Sequence, residues 1–297
     1  MHFDSDINRP PYEAYDAYLQ VTKGCSHGSK GGCDFCTFYK NVGFSPSPME
    51  EVEADVQELR LIAARIPFDR IFLQGADSLI LPYRRLVDIA ELIHRELPKV
   101  TSIGGYARID NLRNKSVDQL RHLAELGYSN FYFGNESGDD AVLARMHKGY
   151  EAVEIVRQLS KLDEAGMPYI MNFLGGLGGH GYGLGHARKT AAIINRLHPT
   201  MVYASELTLF PDTPLSRDVE EGRFEEATEA ERYEELRELV ACLEVPTIFK
   251  AEHVTLPEPI RGRLPEDRER LLSQLDRLVD DARAGKLDGF RASVMGL

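Results

Sequence analysis

Six short apolar runs recur along the chain, most of them followed by an amphipathic stretch of helical period, and this alternation limits the fold more than anything else in the sequence. The runs are residues 18–22, 70–74, 101–106, 130–133, 169–174 and 201–207. Each has the length and content of a buried strand. Strands separated by helices pair in parallel, because a parallel neighbour is reached only by a long crossover. Right-handed crossovers put the helices outside. Six units predict an α/β fold, a partial (β/α)6 barrel that resembles a TIM barrel without closing to eight. In such sheets the sites lie at the C-terminal ends of the strands.

The helices carry their own signals. Ser47 reads as an N-cap, Pro48 as the first helical residue and Glu50 as the partner in a capping box. Val52, Val56, Leu59 and Ile66 then share a face. A second helix starts near Pro82, with Leu86, Ile89, Ile93 and Leu97 inward. Ser116 and Gln119 form another capping box before a helix stopped at Gly127, and Val153, Val156, Leu159 and Leu162 stripe a helix stopped at Gly166. A fifth runs over about residues 187–197. From about residue 212 the chain turns charged and helical. Tyr233, Leu236, Leu239, Val240 and Leu243 share one face, and Leu271, Leu272, Leu275 and Leu278 stripe a last helix. The expected organisation is a barrel over residues 1–215 with a helical extension, residues 216–297, packed on it.

Charge and hydropathy exclude some functions. The net charge of −12 argues against a nucleic-acid substrate, which calls for a basic field. No apolar run approaches the roughly 18 residues of a membrane span. The N-terminus has neither the basic start nor the apolar core of a signal peptide. A cytoplasmic protein with no membrane partner is expected.

Three of the four cysteines, Cys25, Cys33 and Cys36, lie in one loop after the first predicted strand, spaced C-x7-C-x2-C, and Cys242 is far away. Clustered cysteines in a reducing compartment read as metal ligands. Gly24, Gly28, Gly31 and Gly32 let the backbone wrap a bulky centre. Three thiolates can hold three irons of a [4Fe–4S] cluster and leave one iron open. Two alternatives stay open at this point. Cys25, His27, Cys33 and Cys36 suit a zinc site, which makes the chain a zinc-stabilised binding or scaffold barrel. Cys242 as a fourth ligand makes it an electron-transfer iron–sulfur protein.

The segment Cys33-Asp34-Phe35-Cys36 and its setting resemble the radical S-adenosylmethionine (SAM) superfamily, in particular the catalytic domains of the Elongator subunit, the tRNA methylthiotransferases and coproporphyrinogen dehydrogenase. The family's usual spacing is C-x3-C-x2-C with an aromatic residue before the last cysteine. Here Phe35 keeps that place, while the first spacer is four residues longer. The resemblance implies that Cys25, Cys33 and Cys36 bind the cluster and that Phe35 borders the cofactor. It implies that Gly75-Ala76-Asp77 stands where the family's Gly-Gly-Glu segment contacts the SAM amino group. It places Glu136, in Gly134-Asn135-Glu136-Ser137-Gly138, near the ribose, Lys148 beside the SAM carboxylate, and Gly175 against SAM. Seven of the eleven residues from Gly175 to Gly185 are glycine, and the later ones read as a lid. His180 and His186 are set aside as solvated loop histidines, and Cys242 as a buried apolar residue.

The implied activity is reductive cleavage of SAM to a 5′-deoxyadenosyl radical, with an electron from an external flavodoxin- or ferredoxin-type reductant. One cysteine outside the loop cannot build a second three-cysteine cluster, which argues against methylthiotransfer. A small-molecule substrate is expected.

Overall fold

The computed structural model describes residues 1–4, 7–39 and 42–293; the last four residues of the expected extension lie outside these. The chain forms two compact units. The first holds residues 1–32, 38–134 and 157–169, and the second holds residues 33–37, 135–156 and 170–297.

The first unit carries β1 (Ala17–Gln20), two short strands β2 (Thr22–Lys23) and β3 (Ser45–Pro46), helix α1 (Met49–Ala63), β4 (Arg70–Gln74), α2 (Tyr83–Glu96), β5 (Ser102–Ala107), α3 (Val117–Glu125) and β6 (Phe131–Glu136). β1, β4, β5 and β6 run parallel in that order, with Leu19 beside Leu73, Phe72 beside Gly104 and Tyr106 beside Tyr132. Val52, Val56, Leu86, Ile89, Ile93, Leu120 and Leu123 of the helices are completely buried, as are Leu19, Ile71 and Ile103 of the sheet. Each such side chain contributes about 1.5–3 kcal/mol by leaving water.

The second unit carries α4 (Asp140–Arg145), the start of α5 (Ala152–Ala165), β7 (Tyr169–Gly175), α6 (Gly183–Ile194), β8 (Met201–Glu206), α7 (Pro214–Glu220), α8 (Glu229–Cys242), β9 (Thr247–Ala251), β10 (Ile260–Leu264), α9 (Arg268–Arg283) and the short α10 (Phe290–Ser293). β7, β8 and β9 are parallel, and β10 closes the edge antiparallel to β9. α8 packs against α6 and α9 through the fully buried Tyr233, Leu236, Leu239, Val240 and Leu243. The fold is therefore the α/β class expected, a mostly parallel sheet flanked by helices with a helical C-terminal extension.

The differences have physical causes. Ser47 does not cap α1: the helix starts at Met49 after Pro48, with no side-chain cap. Ser47 is taken into the hairpin, its N–H donating to Val21 O at 3.0 Å and its carbonyl accepting from Arg85 at 2.7 Å. Ile66 lies beyond the end of α1 and is exposed, and Val153 points to solvent while Ile155 goes inward. Cys242 is half-exposed rather than buried. β9 and β10 replace the purely helical tail. β10 reads Ile260-Arg261-Gly262-Arg263-Leu264, and its two outward arginines hide the strand in the sequence while blunting its open edge.

At the opposite ends of the first unit's strands from the cysteine loop, Arg70 joins several strands at once. Its Nε donates to Glu13 at 2.8 Å and its Nη1 to Ser102 Oγ at 2.5 Å, with Asp16 at 3.4 Å. A Cβ on Gly104 would come within 2.0 Å of the guanidinium, so only glycine admits it. Burial and the neighbouring Glu13 carboxylate push Asp16 up to about 7, against the pull of Arg70. A carboxyl whose pKa is raised by folding stabilises the fold fully below its unfolded value and loses that contribution as pH rises through the folded value. The melting temperature is therefore expected to fall between pH 4 and pH 7 through this pair. Asp16→Asn should flatten that slope in thermal unfolding scans across the range; an unchanged slope would rule the pair out as its source.

Candidate functional site

Cys25 belongs to the first unit, and Cys33 and Cys36 to the second. All four cysteines are free thiols and half-buried.

In the first unit the turn after β4 holds the start of the cysteine loop. Asp77 is completely buried. It accepts the Ser26 N–H at 3.2 Å and the Ser26 hydroxyl, while Ala76 N–H donates to Gly24 O at 3.2 Å. Gly75 makes this approach possible. Its φ is +108°, and a Cβ there would stand 2.0 Å from Thr22 Oγ1 and 2.6 Å from Thr22 O. Gly24, at φ +65°, would likewise drive a Cβ to 2.6 Å from Val42 O. Burial raises the Asp77 pKa, opposed by Ser26, Arg108 and Asn111. Burial and the Asp77 charge also raise the Cys25 thiol. A thiol so placed stays protonated until a cation draws the thiolate out.

In the second unit the Cys33–Cys36 turn is closed by Cys36 N–H to Cys33 O at 3.1 Å. Phe35 packs on a buried cluster that includes Val142, Met146, Leu177 and Leu215. Asp34 fixes the turn from both sides, donating its N–H to Met146 O at 3.3 Å and accepting Leu215 N–H at 3.0 Å. Lys148 is buried. Its Nζ lies 3.5 Å from Glu136 Oε1 and 5.8 Å from the centroids of both the Phe35 and Tyr150 rings, within cation–π range. Glu136 ends β6 at φ +59°, a left-handed conformation that costs a non-glycine residue roughly 1–2 kcal/mol. Such strain persists where the surroundings hold it and is concentrated at functional positions. Phe35, Glu136 and Lys148 thus form one assembly. Arg145, three residues before Lys148, pairs with Asp218 at 3.4 Å.

The glycine loop is held by residues that the sequence reading missed. Gly175 ends β7, and a Cβ on it would fall 2.5 Å from the Glu206 carboxylate. Glu206 is buried, pushed up to about 8 by that burial, with Arg232 Nη1 at 3.8 Å as its opposing charge. The Gly176 N–H donates to Glu235 Oε2 at 2.8 Å. The other Glu235 oxygen meets His186 Nδ1. His186 lies in α6, completely buried and stacked on Phe173 at 5.1 Å, so it is no solvated loop residue. His180 is exposed and pairs with Glu231. The signal for Glu235 and Arg232 was their place beside Tyr233 and Leu236: two charges bordering an apolar stripe.

These contacts also give Gly75 and Gly175 reasons to be glycine that need no ligand. The donor chemistry nevertheless fits an iron–sulfur centre and a polar cofactor. Three thiols stand in the loop. Among the described residues, Thr22 Oγ1 and Gln74 Nε2 in the first unit, and Asn172 Oδ1 and Thr208 Oγ1 in the second, are buried with no hydrogen-bond partner. Buried polar groups of this kind are normally satisfied by water or a ligand. Among the same residues no three His, Cys, Asp or Glu side chains are gathered as a ready metal site.

Residues 19–194 match the family model of the Radical SAM superfamily. The chain belongs to the radical SAM superfamily. A heme chaperone, HemW of Bacillus subtilis, is 25% identical over 210 residues, covering 68% of this chain and 55% of its own length. The chain therefore spans little more than half of that curated relative. Among solved structures, the radical SAM methyltransferase TsrM of Kitasatospora setae, with tryptophan and a SAM analogue bound, matches 90% of this chain and 52% of its own at TM-score 0.55 and 17% identity. The coproporphyrinogen III oxidase HemN of Escherichia coli matches 76% of this chain and 51% of its own at TM-score 0.53 and 14% identity. At these identities the structures share the fold.

Two glycines of the loop region separate steric need from conformational need. Gly75→Ala, blocked by Thr22, should destabilise the fold by about 2–3 kcal/mol. Gly31, at φ +99° with nothing near its missing Cβ, should cost only the left-handed penalty of roughly 1–2 kcal/mol on change to alanine. Urea unfolding of both variants tests the order.

Proposed function

We propose that this chain is a radical SAM enzyme in which Cys25, Cys33 and Cys36 bind a [4Fe–4S] cluster and SAM completes the coordination of its fourth iron. The observation that carries the proposal is the superfamily match, which spans all three cysteines and every cofactor residue inferred from sequence. The Phe35–Lys148–Glu136 assembly supports it, since it gathers an aromatic face, a cation and a carboxylate in one place.

When bound, the cluster supplies the electron that splits a carbon–sulfur bond of SAM and yields a 5′-deoxyadenosyl radical for hydrogen abstraction. The protein's part is binding and exclusion of water. Asp77 retains acceptor capacity for an ammonium group beyond its bonds to Ser26. Gly75 and Ala76 offer backbone beside it. Lys148 would pair with the cofactor carboxylate as a point charge. Glu136 would accept ribose hydroxyls. Gly175 lets the end of β7 approach the cofactor, and Glu235 holds the following peptide. Ordered groups of this kind lower the barrier by positioning.

A one-electron reductant of the flavodoxin or ferredoxin type and a small-molecule substrate complete the reading. So do a cytoplasmic location and an organisation in which residues 216–297 extend a barrel of residues 1–215. Among the described residues no helix is long and apolar enough to cross a membrane.

Purified without oxygen, the protein should be brown, contain four irons and four sulfides per chain, and release 5′-deoxyadenosine from SAM on reduction. Cys25→Ser, Cys33→Ser and Cys36→Ser should each abolish colour and cleavage, while Cys242→Ser keeps both. Lys148→Ala should weaken SAM binding about tenfold, the loss of one partly buried charged contact. A colourless protein carrying zinc would overturn the proposal. A cluster that needs Cys242, or one that releases no 5′-deoxyadenosine from SAM on reduction, would favour electron transfer.

A further inference from the structure

A concave site in the first unit carries a charge pattern that the cofactor reading does not use. A cavity of about 890 Å3 lies among the cysteine loop, the turn after β4 and the turn after β5. Parallel sheets bind ligands beyond these strand ends, and the volume is that of a small-molecule pocket. Lys30, Arg84, Arg113 and Lys115 all line it, against one carboxylate, Asp110. Asp110 is already engaged by the Arg108 guanidinium at 3.0 Å. In a chain of net charge −12 this concentration of cations is a local exception.

We propose that this cavity binds a small organic anion, one with at least two negative groups on an apolar body. Four independent observations lead there. First, Arg84 and Lys30 are exposed, and neither side chain has a protein partner among the described residues. Second, α2 opens on the cavity with Pro82 at its N-cap, no side-chain cap and no acid in its first turn. That turn instead carries Arg84 and Arg85, which repel the positive end of the helix. Arg85 is drawn off to Ser47 O at 2.7 Å, while Arg84 stays at the rim. An anion would relieve that repulsion and meet the free N–H groups of the first turn.

Third, Lys115 is a buried cation under the cavity. It donates to the carbonyls of Leu79, Leu81 at 3.0 Å and Asn111 at 3.4 Å, and no carboxylate pairs with it among the described residues. Burial, and then the neighbouring Lys161, lower it to about 8. Fourth, Phe44 and Tyr83 flank the charged groups, and the Tyr83 ring is fixed by its hydroxyl contact of 2.6 Å with His122 Nδ1. Aromatic walls beside separated cations select an amphipathic polyanion over a bare inorganic ion.

The site goes beyond the cofactor proposal and does not depend on it. Calorimetric titration of the whole chain, with and without its iron, should use benzene-1,3-dicarboxylate, its neutral diamide and inorganic pyrophosphate. The dicarboxylate should bind at least tenfold more tightly than either of the others, with affinity falling as salt rises. Arg84→Glu with Arg113→Glu should weaken it tenfold or more, and Arg84→Gln with Arg113→Gln by less. Both variants should keep the wild-type melting temperature and iron content. Absence of dicarboxylate binding, equal binding of the diamide, or unchanged affinity in the variants would overturn the proposal. Pyrophosphate binding as tight as the dicarboxylate would overturn the apolar body. Loss of iron alone would strike the cofactor reading and leave this one standing.

Discussion

Asp77 is a carboxylate with no access to water at the end of a buried strand, and it has to be satisfied from within the protein. Ser26 does so with both its N–H and its hydroxyl. The residue after the first cysteine is thereby tied to the turn after β4. That tie brings the turn against the β2 backbone, an approach that glycine at position 75 permits. A single desolvated carboxylate thus bears on the course of the loop, the identity of that glycine and the protonation of the neighbouring thiol. An unpaired carboxylate in that place would cost several kcal/mol.

The second unit solves a similar problem with different chemistry. The Cys33–Cys36 turn is seated by packing, with Phe35 in an apolar cluster and Asp34 clamped between the backbones of Met146 and Leu215. Lys148 lies within cation–π range of two aromatic rings and 3.5 Å from the Glu136 carboxylate. The buried lysine and the strained Glu136 at the end of β6 thus share one polar contact beside an aromatic wall.

How much of this could be read beforehand follows from the range of each interaction. The six parallel strands were legible because a strand buried on both faces writes itself as an apolar run. The capping box at Ser116 and Gln119 was legible because both partners lie within one turn, and it forms as expected. Ser47 carried the same kind of local signal, and there it misled, since a tertiary contact with Val21 took its backbone. β9 and β10 were hidden by short length and by arginines on the solvent face. The family resemblance singled out Asp77, Glu136 and Lys148, but it could not give the contacts they make. Glu235 meets Gly176 across 59 residues of sequence, and no periodicity reports such a pairing. Charges at the border of an apolar helical stripe, as at Arg232 and Glu235, were the trace it left.

The contact between α8 and the glycine loop changes what the C-terminal extension is. Glu235 carries a peptide N–H on one oxygen and a completely buried imidazole on the other. Cutting the chain before α8 would strip both of their acceptor. α8 is thus part of what shapes the glycine loop, and α6, the loop and α8 act as one structural block.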